Sequence, residues 1–109
     1  MNKVNIYLVG ENIIRIFVWM KKVYTFNDIV FKPHNLVKGG VQGLLKLPNG
    51  VTVSVVGGPT LYGDGIDTFE VGAWWGERGE WIPLSDHDDV KGYVSKDEID
   101  FLLYELMKK

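Results

Sequence analysis

The fold is decided by residues 41–56, which read VQGLLKLPNGVTVSVV. Two segments rich in apolar residues flank a Pro-Asn-Gly turn at positions 48–50, so the stretch predicts a β-hairpin. A two-residue loop would place Leu47 opposite Thr52 and would mix polar with apolar side chains on both faces. A three-residue loop aligns Leu47 with Val51 and gathers the apolar side chains on one face. We therefore expect the three-residue loop, with its glycine in the left-handed conformation.

Further strands are predicted on both sides of this hairpin. Residues 68–75 alternate between apolar and polar positions, except that Trp74 falls on the polar face. A last short strand is expected over residues 81–84, where a proline marks a strand end or a sheet edge. Upstream, residues 23–26 and 29–32 are short β-like segments. These patterns predict a small antiparallel β-sheet built from hairpins.

The first nineteen residues have two interpretations. Alternating apolar residues on either side of a Gly-Glu-Asn turn at positions 10–12 indicate an additional N-terminal hairpin. The Met-Lys-Lys sequence at positions 20–22 would equally serve as a translation start, which would make residues 1–19 an upstream extension. Both interpretations stay open at the level of the sequence.

One helix is predicted, at the C-terminal end of the chain. Ser95 and Glu98 have the spacing of a capping box, in which each side chain accepts a hydrogen bond from the other residue's backbone N–H. Strands followed by one helix indicate an α+β fold, with residues 1–109 forming a single domain. The helical face that packs on the sheet contains Ile99, Leu102, Leu103 and Leu106.

The composition excludes several classes of protein. The 109 residues include no cysteine, which removes disulfide scaffolds, zinc–thiolate sites, iron–sulfur clusters and cysteine nucleophiles. A hydrophobic share of 46% is far above that of disordered chains, so we expect a folded core. Polar and charged residues interrupt the most apolar stretch, residues 4–19, so neither a membrane span nor a secretory signal is predicted.

Charge is distributed unevenly along the chain. Residues 1–63 carry seven basic and two acidic side chains, whereas residues 64–109 carry five basic and twelve acidic ones. Such asymmetry indicates either an acidic binding surface or two halves that attract each other within the fold. The pI is near 5.6, so the protein does not have the overall positive charge that is typical of nucleic-acid-binding proteins, and nucleic acid is not the expected partner.

A set of short motifs lies between residues 31 and 94, within a resemblance that runs from about residue 23 to the C-terminus: Phe31-Lys32-Pro33-His34, Gly39-Gly40-Val41-Gln42, Leu47-Pro48-Asn49-Gly50, Ser54-Val55-Val56, Tyr62-Gly63, Phe69-Glu70-Val71 and Asp88-Asp89-Val90-Lys91-Gly92-Tyr93-Val94. Together they resemble a group of small uncharacterised phage and prophage proteins. The resemblance implies a phage origin and a small α+β fold, and it implies no catalytic residue or cofactor. The sequence departs from the group where Gly50-Val51-Thr52 stands in place of Gly-Tyr-Gly.

The sequence contains no motif with the spacing of a catalytic or metal site. The densest set of candidate ligands, Asp86-His87-Asp88-Asp89, lacks the calcium-loop pattern and is typical of a turn. No serine lies in a recognisable nucleophile motif such as a nucleophile elbow, so neither histidine has an evident nucleophile to activate. We therefore expect a protein that is not an enzyme, with no catalytic residue, no cofactor and no bound metal.

A glycine-rich loop over residues 57–65 is the best candidate for binding a small ligand. Its glycines would expose backbone amides to a phosphate, so binding of a nucleotide or another small ligand is the alternative to protein binding. The loop lacks a Gly-Lys-Ser/Thr sequence, and a strand rather than a helix follows it. The ligand-binding candidates are Gly58, Tyr62, Gly63 and Asp64.

The function predicted from the sequence is binding of a host or phage protein, including inhibition of a bacterial defence system, by a small non-enzymatic phage protein. A nucleic-acid-associated phage protein is a further alternative. The expected location is the cytoplasm of the bacterial host, and exposed strand edges predict a homodimer. Tryptophan is favoured at binding hot spots, and the acidic half would attract a basic partner. The partner-binding candidates are Trp74, Trp81, Glu77, Glu80, Asp86, Asp88 and Asp89.

Overall fold

The computed structural model describes residues 22–109. It contains a six-stranded antiparallel sheet with one C-terminal helix, which confirms the predicted α+β fold. The hairpin predicted within residues 1–19 lies outside the described residues. A 3-10 helix at Phe26–Asp28 precedes the sheet. The other elements are β1 (Lys32–Pro33), β2 (Val41–Lys46), β3 (Val51–Gly57), β4 (Thr68–Trp75), β5 (Glu80–Trp81), β6 (Val90–Ser95) and α1 (Lys96–Met107).

Strands β2 and β3 form the predicted hairpin in the predicted register. Leu45 lies opposite Val53. The backbone N–H of Leu47 donates to the carbonyl of Val51 at 2.8 Å, which closes a three-residue loop. Gly50 ends this loop with a φ of +97°, a conformation that glycine adopts without steric cost. The hairpin's apolar side chains therefore share one face, as expected.

Strand β4 has backbone partners along both of its edges. One edge pairs with β3. The other edge is shared, because β5 pairs with residues 74–75 and β6 pairs with the other end of the strand, residues 68–72. The alternation predicted for β4 is confirmed by its buried apolar side chains, which are Phe69, Val71 and Ala73.

Two of the predicted short strands need correction. The strand expected over residues 81–84 is the two-residue β5, Glu80–Trp81, and it ends before Pro83, which has no N–H to donate to a neighbouring strand. Of the two β-like segments at 23–26 and 29–32, only Lys32 belongs to a strand. Between these segments, Asp28 accepts the backbone N–H of Thr25 at 2.9 Å and favours a 3-10 turn instead.

Strand β6 has no counterpart in the sequence-based prediction. It places two residues, Gly92 and Tyr93, opposite the single residue Glu70 of β4, so the register shifts between the two ends of the pairing. This extra residue is a β-bulge. A bulge breaks the period-two pattern from which a strand is recognised in a sequence, which explains why β6 is not evident there.

Helix α1 covers the inner face of the sheet. The predicted capping box is confirmed, because the Ser95 hydroxyl accepts the Glu98 N–H and the Glu98 carboxylate accepts the Ser95 N–H, each at 3.2 Å. Asn49 donates from its side-chain amide to the carbonyl of Leu106 at 2.9 Å and ties the β2–β3 loop to the helix end. The most deeply buried core side chains are Val51, Val53, Val55, Ala73, Val94, Ile99 and Leu103.

The 3-10 helix packs on the same inner side. The Phe26 ring lies 5.2 Å from the ring of Phe69, and the Phe26 N–H donates to the carboxylate of Asp100 at 2.7 Å. The first described residues are thereby fixed to both the sheet and α1. Within residues 22–109, no helix is long and apolar enough to cross a membrane.

Leu106→Ala is expected to lower the free energy of unfolding by about 2–5 kcal/mol, because this side chain is buried and its removal leaves a cavity. Phe101→Ala is the matched control on the same helix. The Phe101 side chain is 62% exposed, so its loss should change the free energy by about 0.5 kcal/mol. Urea unfolding followed by circular dichroism measures both values. Equal losses for the two variants would contradict this placement of the helix.

Candidate functional site

The outer face of the sheet, the side away from α1, has no helix on it among residues 22–109, because α1 and the 3-10 helix both pack on the inner side. Aliphatic side chains are left accessible there, among them Leu44, which is 59% exposed, and Val30, which is 81% exposed. The register across β2, β3 and β4 gives the outer-face rows Gln42–Val56–Glu70, Leu44–Ser54–Gly72 and Lys46–Thr52–Trp74.

Two tryptophans lie at one end of the outer face. Trp74 and Trp81 are paired across β4 and β5, with ring centroids 5.1 Å apart and an interplanar angle of 60°. Trp81 is 48% exposed, whereas Trp74 is partly buried. The sequence alone leaves the burial of Trp74 open. In the structure the Trp74 ring packs against the more exposed ring of Trp81, in the edge-on arrangement that aromatic pairs favour.

Gly72 makes room for the ring of Trp81. A Cβ atom at Gly72 would lie 3.0 Å from Cζ3 of Trp81 and 3.6 Å from Cγ2 of Val90. The Trp81 ring therefore lies over the backbone of β4 and beside Val90. We call Trp74, Trp81 and Val90 the tryptophan cluster. It is a contiguous apolar surface with two indole N–H donors.

The β4–β5 turn and the first residue of β5 hold the two glutamates predicted as partner-binding residues, Glu77 and Glu80. Glu77 and Glu80 are both exposed there. The Arg78 side chain lies 3.2 Å from the Glu80 carboxylate and 5.1 Å from the centre of the Trp75 ring. Arg78 therefore offsets part of the charge of Glu80. Glu77 lines, together with Trp74, a shallow depression of about 440 Å³ at the edge of the tryptophan cluster.

The three aspartates of the acidic turn lie between β5 and β6. Asp86, Asp88 and Asp89 are all exposed, and the turn is closed by the Ser85 hydroxyl, which accepts the Asp88 N–H at 3.1 Å. The turn leads directly into Val90, a member of the tryptophan cluster. The predicted partner-binding residues thus occupy two turns and two strands that are connected through that cluster.

Backbone N–H groups of the glycine-rich loop donate to acceptors within the protein itself. The N–H of Gly58 donates to the carbonyl of Gly63 at 2.9 Å, and the N–H of Tyr62 donates to the Glu70 carboxylate at 3.1 Å. These amides are no longer available to a phosphate. At Gly63 a Cβ would lie 2.6 Å from Cα of Phe69, so this glycine permits close backbone packing.

Asp64 organises the second half of this loop. Its Oδ1 atom accepts the backbone N–H groups of Ile66, Asp67 and Thr68 at 2.8, 2.8 and 3.0 Å. These bonds, with that of Thr68 the strongest influence, lower the pKa of the Asp64 carboxyl from 3.8 to about 2. The predicted ligand-binding carboxylate therefore serves as an acceptor for its own loop.

Sequence reasoning missed the aliphatic part of the outer face and one exposed tyrosine. Leu44 could have been recognised, because the predicted hairpin register already places it opposite Ser54 on the polar face. Val90 and Tyr93 could not, since they belong to the unpredicted strand β6. Tyr93 is 66% exposed and lies 6.2 Å from Tyr62, measured between ring centroids.

No group of three or more histidine, aspartate or glutamate side chains within residues 22–109 has the arrangement needed to hold a metal ion. Comparison of the chain with known protein families, curated proteins and solved structures finds no match. The function is therefore inferred from the surface of the protein itself.

Asp64 should make the stability of the glycine-rich loop depend on acidic pH. Its pKa is lower in the folded than in the unfolded state, so its contribution is fully present above about pH 4 and is lost as the pH falls through about 2. Asp64→Asn keeps an accepting oxygen but has no charge to titrate, so the free energy of unfolding of this variant should depend less on pH over the same range. Asp67→Asn is the control, since it removes the same charge from the same loop. Urea unfolding across this pH range measures the effect, and equal profiles for all three proteins would contradict it.

Gly72→Val should displace the ring of Trp81, because even a Cβ at this position would lie 3.0 Å from that ring. We expect a red shift of tryptophan fluorescence as Trp81 becomes more exposed to water. The same substitution in a Trp81→Phe background is the control, and it should leave the emission maximum unchanged. An unshifted spectrum with Trp81 present would contradict the described position of the ring.

Proposed function

We propose that this chain is a non-enzymatic protein that binds another protein through the tryptophan cluster. The observation that supports this proposal is the setting of Trp81, which is about half exposed yet held between Trp74 and the backbone at Gly72. A ring held in one orientation loses little conformational entropy when a partner covers it. Tryptophan anchors of this kind dominate the energy of many protein interfaces.

Covering Trp81 would contribute a substantial binding energy. Its exposed half corresponds to about 100 Å² of mostly apolar surface, and burial of that area is worth about 2–3 kcal/mol. Val90, which is 37% exposed, would add to the same contact. The inner-face core is already complete without these groups, so they are available to a partner at little cost to the fold.

The segments beside the tryptophan cluster carry more acidic than basic charge, although Lys46 lines the depression beside Trp74, and this excess favours a partner with a basic surface. The neighbouring turns contribute four carboxylates, and a fifth, that of Glu80 at the start of β5, is paired with Arg78. Exposed charges of one sign mainly accelerate association and add less to the lifetime of a complex. The five acidic side chains are Glu77, Glu80, Asp86, Asp88 and Asp89.

The resemblance of residues 23–109 to phage and prophage proteins favours a host or phage protein as the partner. A nucleic-acid-binding component of a bacterial defence system would present the basic surface that this acidic region favours. Such an interaction would take place in the bacterial cytoplasm. The small-ligand alternative has less support, because the glycine-rich loop donates much of its backbone hydrogen bonding internally. The homodimer expected from strand edges stays a prediction.

Affinity purification from bacterial cells, followed by binding kinetics with the recovered partner, tests this proposal. Trp81→Ala should accelerate dissociation, because it removes the anchor. Reversal of Asp88 and Asp89 to lysine should slow association, with the difference shrinking at high salt. Phe101→Ala is the control, since it removes an aromatic ring that is 62% exposed on α1, against 48% for Trp81, and it should leave both rate constants unchanged.

Two results would contradict the proposal. One is a partner whose binding rates are the same for the parent protein and for Trp81→Ala. The other is recovery of no protein partner together with a stoichiometric nucleotide in the purified chain, which would favour the small-ligand alternative. Light scattering of the purified protein at high concentration separates self-association from binding to a different protein.

A further inference from the structure

A second exposed aromatic surface lies away from the tryptophan cluster. The Tyr62 and Tyr93 rings have centroids 6.2 Å apart and an interplanar angle of 54°. They are 63% and 66% exposed, so neither ring belongs to the core. Tyr62 comes from the glycine-rich loop and Tyr93 from the bulge in β6, so two separate segments of the chain bring the rings together.

The backbone at both tyrosines is held in place. The N–H of Tyr93 donates to the carbonyl of Tyr62 at 2.8 Å, and the N–H of Tyr62 donates to Oε1 of Glu70 at 3.1 Å. Gly92 accommodates the Tyr62 side chain, because a Cβ at Gly92 would lie 2.7 Å from Cβ of Tyr62. The two rings are therefore fixed at their bases while their surfaces face solvent.

Tyr93 adopts a backbone conformation that a bulky residue normally avoids. Its φ is +53°, in the left-handed region that favours glycine. Burial of the Tyr93 side chain offsets little of this conformational energy, since about two-thirds of the side chain is exposed. β-Bulges commonly redirect a side chain at a functional site, and this bulge turns Tyr93 toward Tyr62.

The segment that carries Tyr62 is acidic, and Lys91, two residues before Tyr93 in β6, lies 3.7 Å from the Glu98 carboxylate, which offsets its charge. Residues 57–70 contain Asp64, Asp67 and Glu70 and no lysine or arginine. Glu70 uses Oε1 to hold the Tyr62 N–H, and none of residues 22–109 donates to its Oε2. Aromatic ring faces and a carboxylate together attract a planar cation, because the ring faces carry partial negative charge.

We propose that Tyr62, Tyr93 and Glu70 form a recognition site for an arginine side chain of a partner protein. The guanidinium lies against the tyrosine rings, and Glu70 provides the opposing charge. Arginine fits better than lysine, because its planar, weakly hydrated guanidinium stacks on aromatic rings and pairs with a carboxylate at the same time. The site goes beyond the proposed function, since it does not use the tryptophan cluster.

An NMR titration with the peptide acetyl-Gly-Arg-Gly-Arg-Gly-amide tests this site. We expect shifts of the backbone signals of Tyr62, Glu70 and Tyr93 that saturate and that weaken at high salt. A peptide with citrulline in place of arginine has the same shape without the charge and should produce no saturable shift. Trp81→Ala should bind the arginine peptide like the parent protein, which keeps this test separate from that of the tryptophan cluster.

Three variants assign the roles of the three residues. Tyr62→Ala and Tyr93→Gly should each weaken binding of the arginine peptide by about two- to five-fold, the value of one exposed cation–π contact. Glu70→Gln retains an oxygen for the Tyr62 N–H but should weaken binding and reduce its salt dependence. Tyr104→Ala is the control, since that ring is 54% exposed on α1, and it should leave the affinity unchanged.

The melting temperature of Tyr93→Gly distinguishes recognition from a structural role. Glycine adopts the left-handed conformation without strain, so this variant should melt at the same temperature as the parent or higher while binding the peptide less tightly. A lower melting temperature with unchanged peptide affinity would overturn the proposal. So would equal binding of the citrulline peptide, or an equal loss of affinity in Tyr104→Ala.

Discussion

Backbone pairing along β4 holds the sheet together, because β3, β5 and β6 all pair with this one strand. Its register against β3 selects the side chains that meet α1, and that same register turns Glu70, Gly72 and Trp74 to the outer face. A slip of one residue would exchange the two faces, burying Glu70 and exposing Val71. The apolar core therefore fixes the position of both candidate binding surfaces, although none of the core residues belongs to them.

The two candidate surfaces are built in the same way. In each, a glycine on a neighbouring strand makes room for an exposed aromatic residue: Gly72 for the ring of Trp81, and Gly92 for Cβ of Tyr62 at the base of its ring. The missing Cβ lets the aromatic residue approach the backbone closely, and a second ring lies beside the first one. A rigid ring loses less freedom when it is covered than a mobile one does. Glycine thus shapes both candidate surfaces without being exposed as part of either one.

The sequence predicts the elements whose determinants are local. The β2–β3 hairpin, the alternation of β4 and the capping box at Ser95 each depend on residues a few positions apart. The setting of Trp74 is not predictable in this way, because it depends on Trp81, which lies across a turn. The proposed arginine site is still less accessible from sequence, because it requires a bulge to bring Tyr93 next to a loop that Glu70 holds.

The bulge also affects how β6 behaves as a sheet edge. Alongside residues 68–72 of β4, this strand is the outermost one among the residues that the structure describes, and a regular outermost strand invites intruding strands and fibril growth. Tyr93 interrupts that regularity, because its backbone turns out of the extended conformation and its N–H is already bonded to Tyr62. A conformation that is costly for one residue thereby makes this sheet edge a less regular template for an added strand.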